Sequence, residues 1–177
     1  MSLRRPAAAE GAAGKTAAET VDEVRRSDMP RLVEVWEASV RATHDFLAEA
    51  DIERFRPVVR DELFGALPLY CLRDEDGLLV AFSGVADGDL AALFVHPSWR
   101  GTGLGRRLVD HAVHELGATT VDVNEQNEQA VGFYRRMGFA VARRSELDEM
   151  GLPYPLLHME LMPPGGRGEL EGASAST

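Results

Sequence analysis

The spacing of apolar residues predicts an ordered series of strands and helices over residues 20–162. Residues 20–25 are expected to form a short first strand, and residues 27–40 are expected to form a helix. Residues 51–67 favour a second, weaker helix, which Pro57 would kink or break because proline has no N–H to donate. The apolar face predicted for the first helix comprises Leu32, Val33, Trp36 and Val40.

Alternating apolar residues predict an antiparallel meander in the middle of the chain. Its three strands are expected within residues 67–74, 78–87 and 89–97, and the turn sequence DEDG joins the first two. Pro97 ends the third strand, because proline cannot contribute an N–H to a strand ladder.

The second half of the chain alternates helices and strands. The clearest helical stripe covers residues 105–116, and a second helix covers 128–137, with the apolar strand 119–124 between them. Residues 139–147 and 155–162 are predicted to close the sheet as a strand pair. This order indicates a mixed α/β (α+β) fold, mainly antiparallel, with one parallel crossover in the middle.

The two ends of the chain differ in composition from the rest. Residues 1–19 and 163–177 are rich in small and polar residues and cannot bury enough apolar surface to offset the entropy of ordering. We therefore expect two disordered tails around one folded domain, residues 20–162, in a chain of 177 residues.

Charge and cysteine content exclude several classes of function. Lys and Arg number 19 against 29 Asp and Glu, a net charge of −10, which argues against nucleic-acid binding and is compatible with a cationic substrate. No signal peptide or membrane-spanning stretch is recognised, so the predicted location is the cytoplasm. The single cysteine, Cys71, lies in an alternating apolar run and is interpreted as a buried structural thiol, and no metal site is predicted.

The sequence RGTGLGRRL, residues 100–108, follows a predicted strand and opens a helix. Consecutive backbone N–H groups at the positive end of a helix form an anion site, and glycines let a phosphate approach closely. The dinucleotide fingerprint does not fit, because Arg106 occupies a position where it requires glycine, and no Walker sequence is present.

Two spaced motifs resemble the GCN5-related N-acetyltransferase (GNAT) family, in particular its small stand-alone bacterial members. The first is R/Q-x-x-G-x-G/A, carried by Arg100, Gly103 and Gly105. The second is N-x-x-A-x-x-F-Y-x-x-x-G-F, carried by Asn127, Ala130, Phe133, Tyr134, Gly138 and Phe139. Their order, and the order of elements over residues 20–162, agree with the family's fold.

The resemblance implies a fold and a cofactor site. The fold has two splayed central strands, and the cofactor, acetyl-CoA, enters the gap between them. Backbone N–H groups of residues 101–106 would hold the pyrophosphate, and backbone near Phe94 and Val95 would pair with the pantetheine arm. The cofactor-binding residues implied are Phe94, Val95, Arg100, Gly101, Thr102, Gly103, Leu104, Gly105, Arg106, Asn124, Asn127 and Tyr134.

Several of these residues also have structural interpretations. Asn127 suits a helix N-cap as well as a cofactor contact, and it can serve as both. By pattern alone Tyr134 reads as a core residue, whereas the resemblance makes it the catalytic acid that protonates the departing thiolate.

The general base is left open by the sequence. The family's glutamate on the strand before the loop has no counterpart here, because that strand is apolar. The candidates are Glu125, His44, Asp45 and His96, and a water chain to a backbone carbonyl is equally compatible.

These observations predict an N-acetyltransferase that moves acetyl from acetyl-CoA to a primary amine by direct attack. The alternative is a CoA-binding regulatory or partner-binding domain without transfer activity. The acceptor could be a small polyamine, an amino acid, an antibiotic amine or a protein lysine, and the chain could be a monomer or a homodimer. The predicted substrate wall comprises Trp36, His44, Phe46 and the loop GLPYP at residues 151–155.

Overall fold

A computed structural model describes residues 16–148 and 150–163, and its strands form one seven-stranded sheet. The strands are β1 (Asp22–Glu23), β2 (Leu69–Arg73), β3 (Leu79–Ala86), β4 (Asp89–Val95), β5 (Thr120–Asn124), β6 (Phe139–Ser145) and β7 (Leu156–Leu161). Their order across the sheet is β1-β2-β3-β4-β5-β7-β6. The β4–β5 pair is parallel and the other pairs are antiparallel, which confirms the predicted mixed fold with a central crossover.

Helices cover both faces of the sheet. They are α1 (Met29–Thr43), α2 (Glu49–Val58), α3 (Phe64–Ala66), α4 (Leu104–His114) and α5 (Glu128–Arg136). Helices α1 and α2 share a core with one set of alternating residues of β2 to β4, including Cys71 and Phe82. The other set, including Leu72 and Val80, packs under α4, and α4 and α5 together cover β5, β6 and β7.

The buried face of α1 differs from the predicted one. Leu32, Trp36 and Val40 are buried as expected, but Val33 is partly exposed and Val35 is fully buried in its place. Both valines lie within one turn of Leu32, so helical spacing alone admits either, and the direction of the sheet decides between them.

The second helical segment changes its winding just after Pro57. This residue lies inside α2, which ends at Val58 and is followed by a π-helical stretch, Val59–Leu63, and then by α3. Proline removes one N–H donor and its ring crowds the preceding turn. The helix nevertheless continues through Pro57 and leaves α-helical winding only at Val59. The predicted kink is therefore a local change of helix type.

The two central strands separate soon after they begin. Parallel pairing between β4 and β5 is confined to Asp89 and Thr120. Further on, β4 remains paired with β3 up to Val95, whereas β5 remains paired with β7 up to Asn124. The facing edge of β4 therefore presents backbone groups near Phe94 and Val95 to a gap, which is the splay that the family resemblance implied.

A histidine ties the last three strands together across one face. His158 on β7 contacts Asp122 of β5 through Nδ1 at 2.6 Å and Ser145 of β6 through Nε2 at 2.7 Å. These contacts give His158 a structural role. It holds together the part of the sheet that forms the far wall of the gap.

The described chain joins the sheet before the predicted domain boundary at Thr20. Ala17 forms a bridge with Asp74, and the Ala18 N–H donates to the Arg73 carbonyl at 2.7 Å. Most of the predicted tails, residues 1–15 and 164–177, lie outside the described residues, so their disorder stays a prediction.

Candidate active site

The gap between β4 and β5 opens into a cleft of about 400 Å³. Its walls come from the C-terminal end of α1, from β4, from the glycine loop and from α5. Of the cofactor-binding residues implied by the sequence, all except Thr102 and Asn124 line this cleft. Tertiary structure thus brings the two sequence motifs, which are separated by a helix and a strand, to opposite sides of one cavity.

The glycine loop takes its shape from residues with left-handed backbone. Gly101 has φ of +76° and Gly103 has φ of +89°, a region that other L-residues rarely adopt. Gly103 is also the N-cap of α4, so the N–H groups of the first helical turn are left without partners inside the helix. An added Cβ at Gly103 would meet no atom within 4 Å, so the space in front of the loop is open to a ligand.

Gly105, in the first turn of α4, lies next to α5 and β4. A Cβ at this position would lie 3.5 Å from Phe133 Cζ and 3.8 Å from Val95 Cγ2, which are ordinary van der Waals distances. The backbone of Gly105 therefore leaves room for an alanine side chain. The residue lines the cleft together with Gly103 and Arg106.

Arginine side chains stand at the cleft entrance. The Arg100 guanidinium donates to Gln129 Oε1 at 2.8 Å, which links the loop to α5. Arg106 is exposed and lies 3.6 Å from Asp110, an ion pair weak enough to be exchanged for a phosphate contact. Arg107 does not line the cleft, and its guanidinium donates to the Ala18 carbonyl at 2.6 Å.

Thr102 and Asn124 do not line the cleft. The Thr102 hydroxyl donates to the Trp99 carbonyl at 2.6 Å, so its side chain closes the loop from behind. The side chain of Asn124 lies at the end of β5, and its Oδ1 is buried with no partner among the described residues. Cofactor contacts by these two side chains stay predictions.

Asn127 combines the two roles considered for it. Its Oδ1 accepts the Ala130 N–H at 3.1 Å, which caps α5, and the residue also lines the cleft. Because the cap uses only the oxygen, the side-chain amide group keeps its two N–H donors for a ligand.

Tyr134 places a phenol at the inner wall of the cleft. Its ring packs against Phe133 and Phe139, with centroid distances of 5.2 and 5.9 Å, and the residue is 6% exposed. Burial raises the pKa of Tyr134 above its usual value, so the hydroxyl keeps its proton. Among the described residues the hydroxyl has no hydrogen-bond partner, and it is available to a ligand atom in the cleft.

The four candidate bases lie in different surroundings. His44, the C-cap of α1, lines the cleft, whereas Asp45, His96 and Glu125 do not. The Glu125 carboxylate is paired with Arg144 at 2.7 Å, and this contact lowers its pKa, which weakens it as a proton acceptor. His96 Nδ1 lies 2.8 Å from Ser98 Oγ and caps the short turn before the loop.

The residues predicted for the substrate wall do not all lie next to the cleft, and their contact with a substrate stays a prediction. Trp36 does not belong to it, because its side chain is 4% exposed and packs in the core beneath α1. Phe46 and the late loop do meet beside the cleft. The Phe46 ring lies 5.2 Å from His44 and 6.1 Å from Tyr154, and the Tyr154 hydroxyl donates to Asp51.

One further sequence interpretation, that Cys71 is a buried structural thiol, agrees with the structure. Cys71 is fully buried in β2, and burial raises the pKa of its thiol to about 11, so it is an unreactive core residue. The described residues contain no helix long and apolar enough to cross a bilayer. The cytoplasmic location stays a prediction.

Comparison with known proteins identifies the family. The sequence model of the acetyltransferase (GNAT) domain matches residues 64–141. The peptidyl-lysine N-acetyltransferase YjaB of Salmonella typhimurium is 43% identical over 135 residues, which are 76% of this chain and 92% of that protein. The chain therefore belongs to the GNAT acetyltransferase family and is an N-acetyltransferase, as the sequence predicted.

Solved structures agree with this assignment. The solution structure of apo YjaB from Escherichia coli matches with a TM-score of 0.74 at 40% identity, over 82% of this chain and 97% of that one. The PaiA N-acetyltransferase of Thermoplasma acidophilum, solved with coenzyme A, matches with a TM-score of 0.65 at 17% identity, over 83% and 99% of the two chains. The second likeness shows the fold alone. Membership of the family makes the chain's donor a coenzyme A thioester.

Proposed function

We propose that the chain transfers the acetyl group of acetyl-CoA to the side-chain amine of a lysine in a protein, by direct attack of the amine on the thioester. One observation carries the proposal: the glycine loop and Tyr134, whose hydroxyl has no hydrogen-bond partner among the described residues, line a single cleft. The relatives called YjaB, which are peptidyl-lysine N-acetyltransferases, support lysine as the acceptor.

The loop supplies the grip on the donor. The N–H groups of residues 101–106 are directed at the pyrophosphate, and Arg100 and Arg106 add positive charge at the entrance. The pantetheine amides pair with the free edge of β4 at Phe94 and Val95, in the way that an extra strand would. Asn127 contributes its amide N–H groups from α5. The thioester is then held beside Tyr134.

Tyr134 acts on the leaving group. An alkyl thiol has a pKa of about 8.5 and a phenol about 10 in water, so full proton transfer to a solvated thiolate would be unfavourable. Burial raises the pKa of both groups inside the cleft, since it disfavours both anions. A hydrogen bond from Tyr134 to the sulfur therefore strengthens as negative charge develops and lowers the barrier to C–S cleavage.

The chemistry beside the cleft fits a cationic side chain on a long stem. The rings of His44, Phe46 and Tyr154 form an apolar wall along which the methylene stem of a lysine can lie. The chain's net charge of −10 favours the approach of cationic acceptors in general.

The test incubates the enzyme with acetyl-CoA and a panel of acceptors. Turnover is measured as CoA release, and the products are identified by mass spectrometry. The panel contains a peptide with an internal lysine and a blocked N-terminus, the same peptide with arginine in place of that lysine, a peptide with a free N-terminus, and spermidine. We expect acetylation of the lysine peptide and none of its arginine counterpart. Turnover of spermidine or of N-terminal amines alone would refute the lysine proposal, and tight CoA binding without any turnover would favour the non-catalytic alternative.

A further inference from the structure

We propose that His44 is the general base that accepts a proton from the acceptor ammonium, an inference that rests on the lysine acetyltransferase function proposed above. The side chain belongs to the loop between α1 and α2, which carries no motif of the family resemblance. It lines the same cleft as Tyr134, on the side of the aromatic wall.

A chain of hydrogen bonds determines which ring nitrogen of His44 carries the proton. The Thr43 hydroxyl donates its one hydrogen to the Ser39 carbonyl at 2.8 Å. The same oxygen lies 2.7 Å from His44 Nδ1. Because its hydrogen is already used, Thr43 Oγ1 must accept here, and Nδ1 must be the donor. This assigns the neutral tautomer with Nδ1–H, which leaves a basic lone pair on Nε2.

The ring of His44 is held in place where it lines the cleft. Nδ1 lies 2.7 Å from Thr43 Oγ1, the ring also has a hydrogen bond to the Val40 backbone, and it packs against Phe46 at 5.2 Å. Phe46 is in turn packed against Tyr154, which is fixed by its hydrogen bond to Asp51. The ring is thus positioned on one side and open on the other, as a general base requires.

The surroundings keep His44 neutral near pH 7. Burial lowers the pKa of His44, because it disfavours the imidazolium. The hydrogen bond to the Val40 backbone acts in the opposite direction and raises the pKa of the ring, as does the neighbouring Asp45, whereas Arg100, across the cleft in the loop after β4, lowers it further. A neutral imidazole is the form that can accept a proton, whereas a free lysine ammonium has a pKa of about 10.4 and rarely loses its proton unaided.

His44 and Tyr134 together account for every proton transfer between the amine and the thiolate, and solvent receives the one proton that is released. His44 Nε2 takes one proton from the acceptor ammonium, and the neutral amine attacks the thioester carbonyl carbon. As the C–N bond forms and the C–S bond breaks, Tyr134 gives its proton to the sulfur and regains one from the attacking nitrogen. The imidazolium then releases its proton to solvent, and the products are an amide and a free thiol.

The kinetic test compares His44→Gln with the parent enzyme on the lysine peptide. We expect kcat/KM at pH 7 to fall by about 10²-fold, within the usual contribution of a positioned base, with CoA affinity unchanged. In the parent, kcat/KM should fall as the pH drops through the lowered pKa of His44. In the variant that dependence disappears, and the rate rises steadily with pH as the free amine accumulates.

A matched control and an acceptor series separate chemistry from folding. His114→Gln makes the same replacement on the exposed face of α4, away from the cleft, and should leave kcat/KM and the pH profile unaltered. With an amine acceptor that is already neutral at the assay pH, the His44→Gln substitution should lower kcat/KM by less than about threefold. A parental pH profile in His44→Gln would overturn the proposal while leaving the acetyltransferase function intact.

A spectroscopic measurement tests the base without an acceptor. In protein labelled with ¹⁵N-histidine, the long-range ¹⁵N–¹H correlations should show His44 as the Nδ1–H tautomer at pH 7, with a pKa below the usual value of a histidine side chain. The Nε2–H tautomer would refute the assignment even if lysine is not the acceptor. Thr43→Val should release the tautomer preference and lower kcat/KM less than His44→Gln does, because Thr43 only positions the ring.

Discussion

Replacing Tyr134 by phenylalanine separates the catalytic interpretation of this residue from the structural one. The change removes one hydroxyl and keeps the ring contacts with Phe133 and Phe139. The hydroxyl has no partner among the described residues, so its loss breaks no hydrogen bond there. We therefore expect the free energy of unfolding to stay within about 0.5 kcal/mol of the parent value, since no named mechanism of large destabilisation applies.

The effect on catalysis should be much larger than the effect on stability. A positioned acid contributes at least about 10²-fold, which corresponds to about 2.7 kcal/mol of transition-state stabilisation at 1.36 kcal/mol per tenfold change. CoA affinity should be unaltered, because the loop and the edge of β4 are untouched. The loss should shrink with a thioester whose thiol has a lower pKa, since that group departs with less help.

The assay measures kcat by CoA release beside a CoA binding titration and a thermal melt. Buried Cys71 contributes little background to a thiol reagent, because the pKa of its thiol is raised to about 11. Tyr70→Phe is the matched control: Tyr70 lies on β2 and packs against His111 at 4.9 Å, away from the cleft. A Tyr134→Phe enzyme with parental kcat and parental CoA affinity would return this tyrosine to the role of a core residue.

Three further predictions follow from the site and the sheet. Acetyl-CoA at about a hundred times its Kd should stabilise the fold by about 2.7 kcal/mol in thermal melts, and desulfo-CoA should retain most of this; stabilisation by NAD or ATP but not by CoA would contradict the cofactor assignment. Gly103→Ala should weaken CoA binding and lower the free energy of unfolding by about 1–2 kcal/mol, because alanine is strained at φ of +89°. Gly105→Ala is the control and should lower it less, because Gly105 is helical and a Cβ there would make ordinary contacts. Equal free energies of unfolding for the two variants in chemical denaturation would refute this reasoning. His158→Ala should lower the free energy of unfolding by about 1–3 kcal/mol, because it removes the hydrogen-bond partner of Asp122 and Ser145. These residues lie outside the cleft, so the Kd for CoA should not change. A loss of CoA affinity without a loss of stability would contradict a purely structural role for His158.

Much of the secondary structure and the shape of the glycine loop could be predicted because they depend on nearby residues. Alternation in β2 to β4 and the apolar stripe of α4 are local patterns with fixed periods, and they identified these elements. Gly101 and Gly103 likewise have a local backbone reason to be glycine. The ordered pair of motifs identified the family without any information on packing.

Other features depended on contacts between distant parts of the chain. Local periodicity does not determine which face of a helix meets the sheet or which strands become neighbours. Packing of α1 on the sheet buries Val35 in place of Val33 and puts Trp36 in the core. Pairing between distant strands places β7 between β5 and β6. The earlier start of ordered contacts at Ala17 depends in the same way on a pairing with Asp74.

The site shows the same division between sequence and tertiary structure. The sequence supplied Tyr134 and four candidate bases, but it gave no reason to prefer one base. Only the fold places His44 in the cleft and pairs Glu125 with Arg144. The proton on His44 Nδ1 is assigned by a hydrogen-bond chain through Thr43 that ends at a helical carbonyl, so it exists only once α1 has formed and packed. Composition and spacing determine which chemical groups are available, whereas tertiary contacts decide their protonation and which of them can reach the substrate.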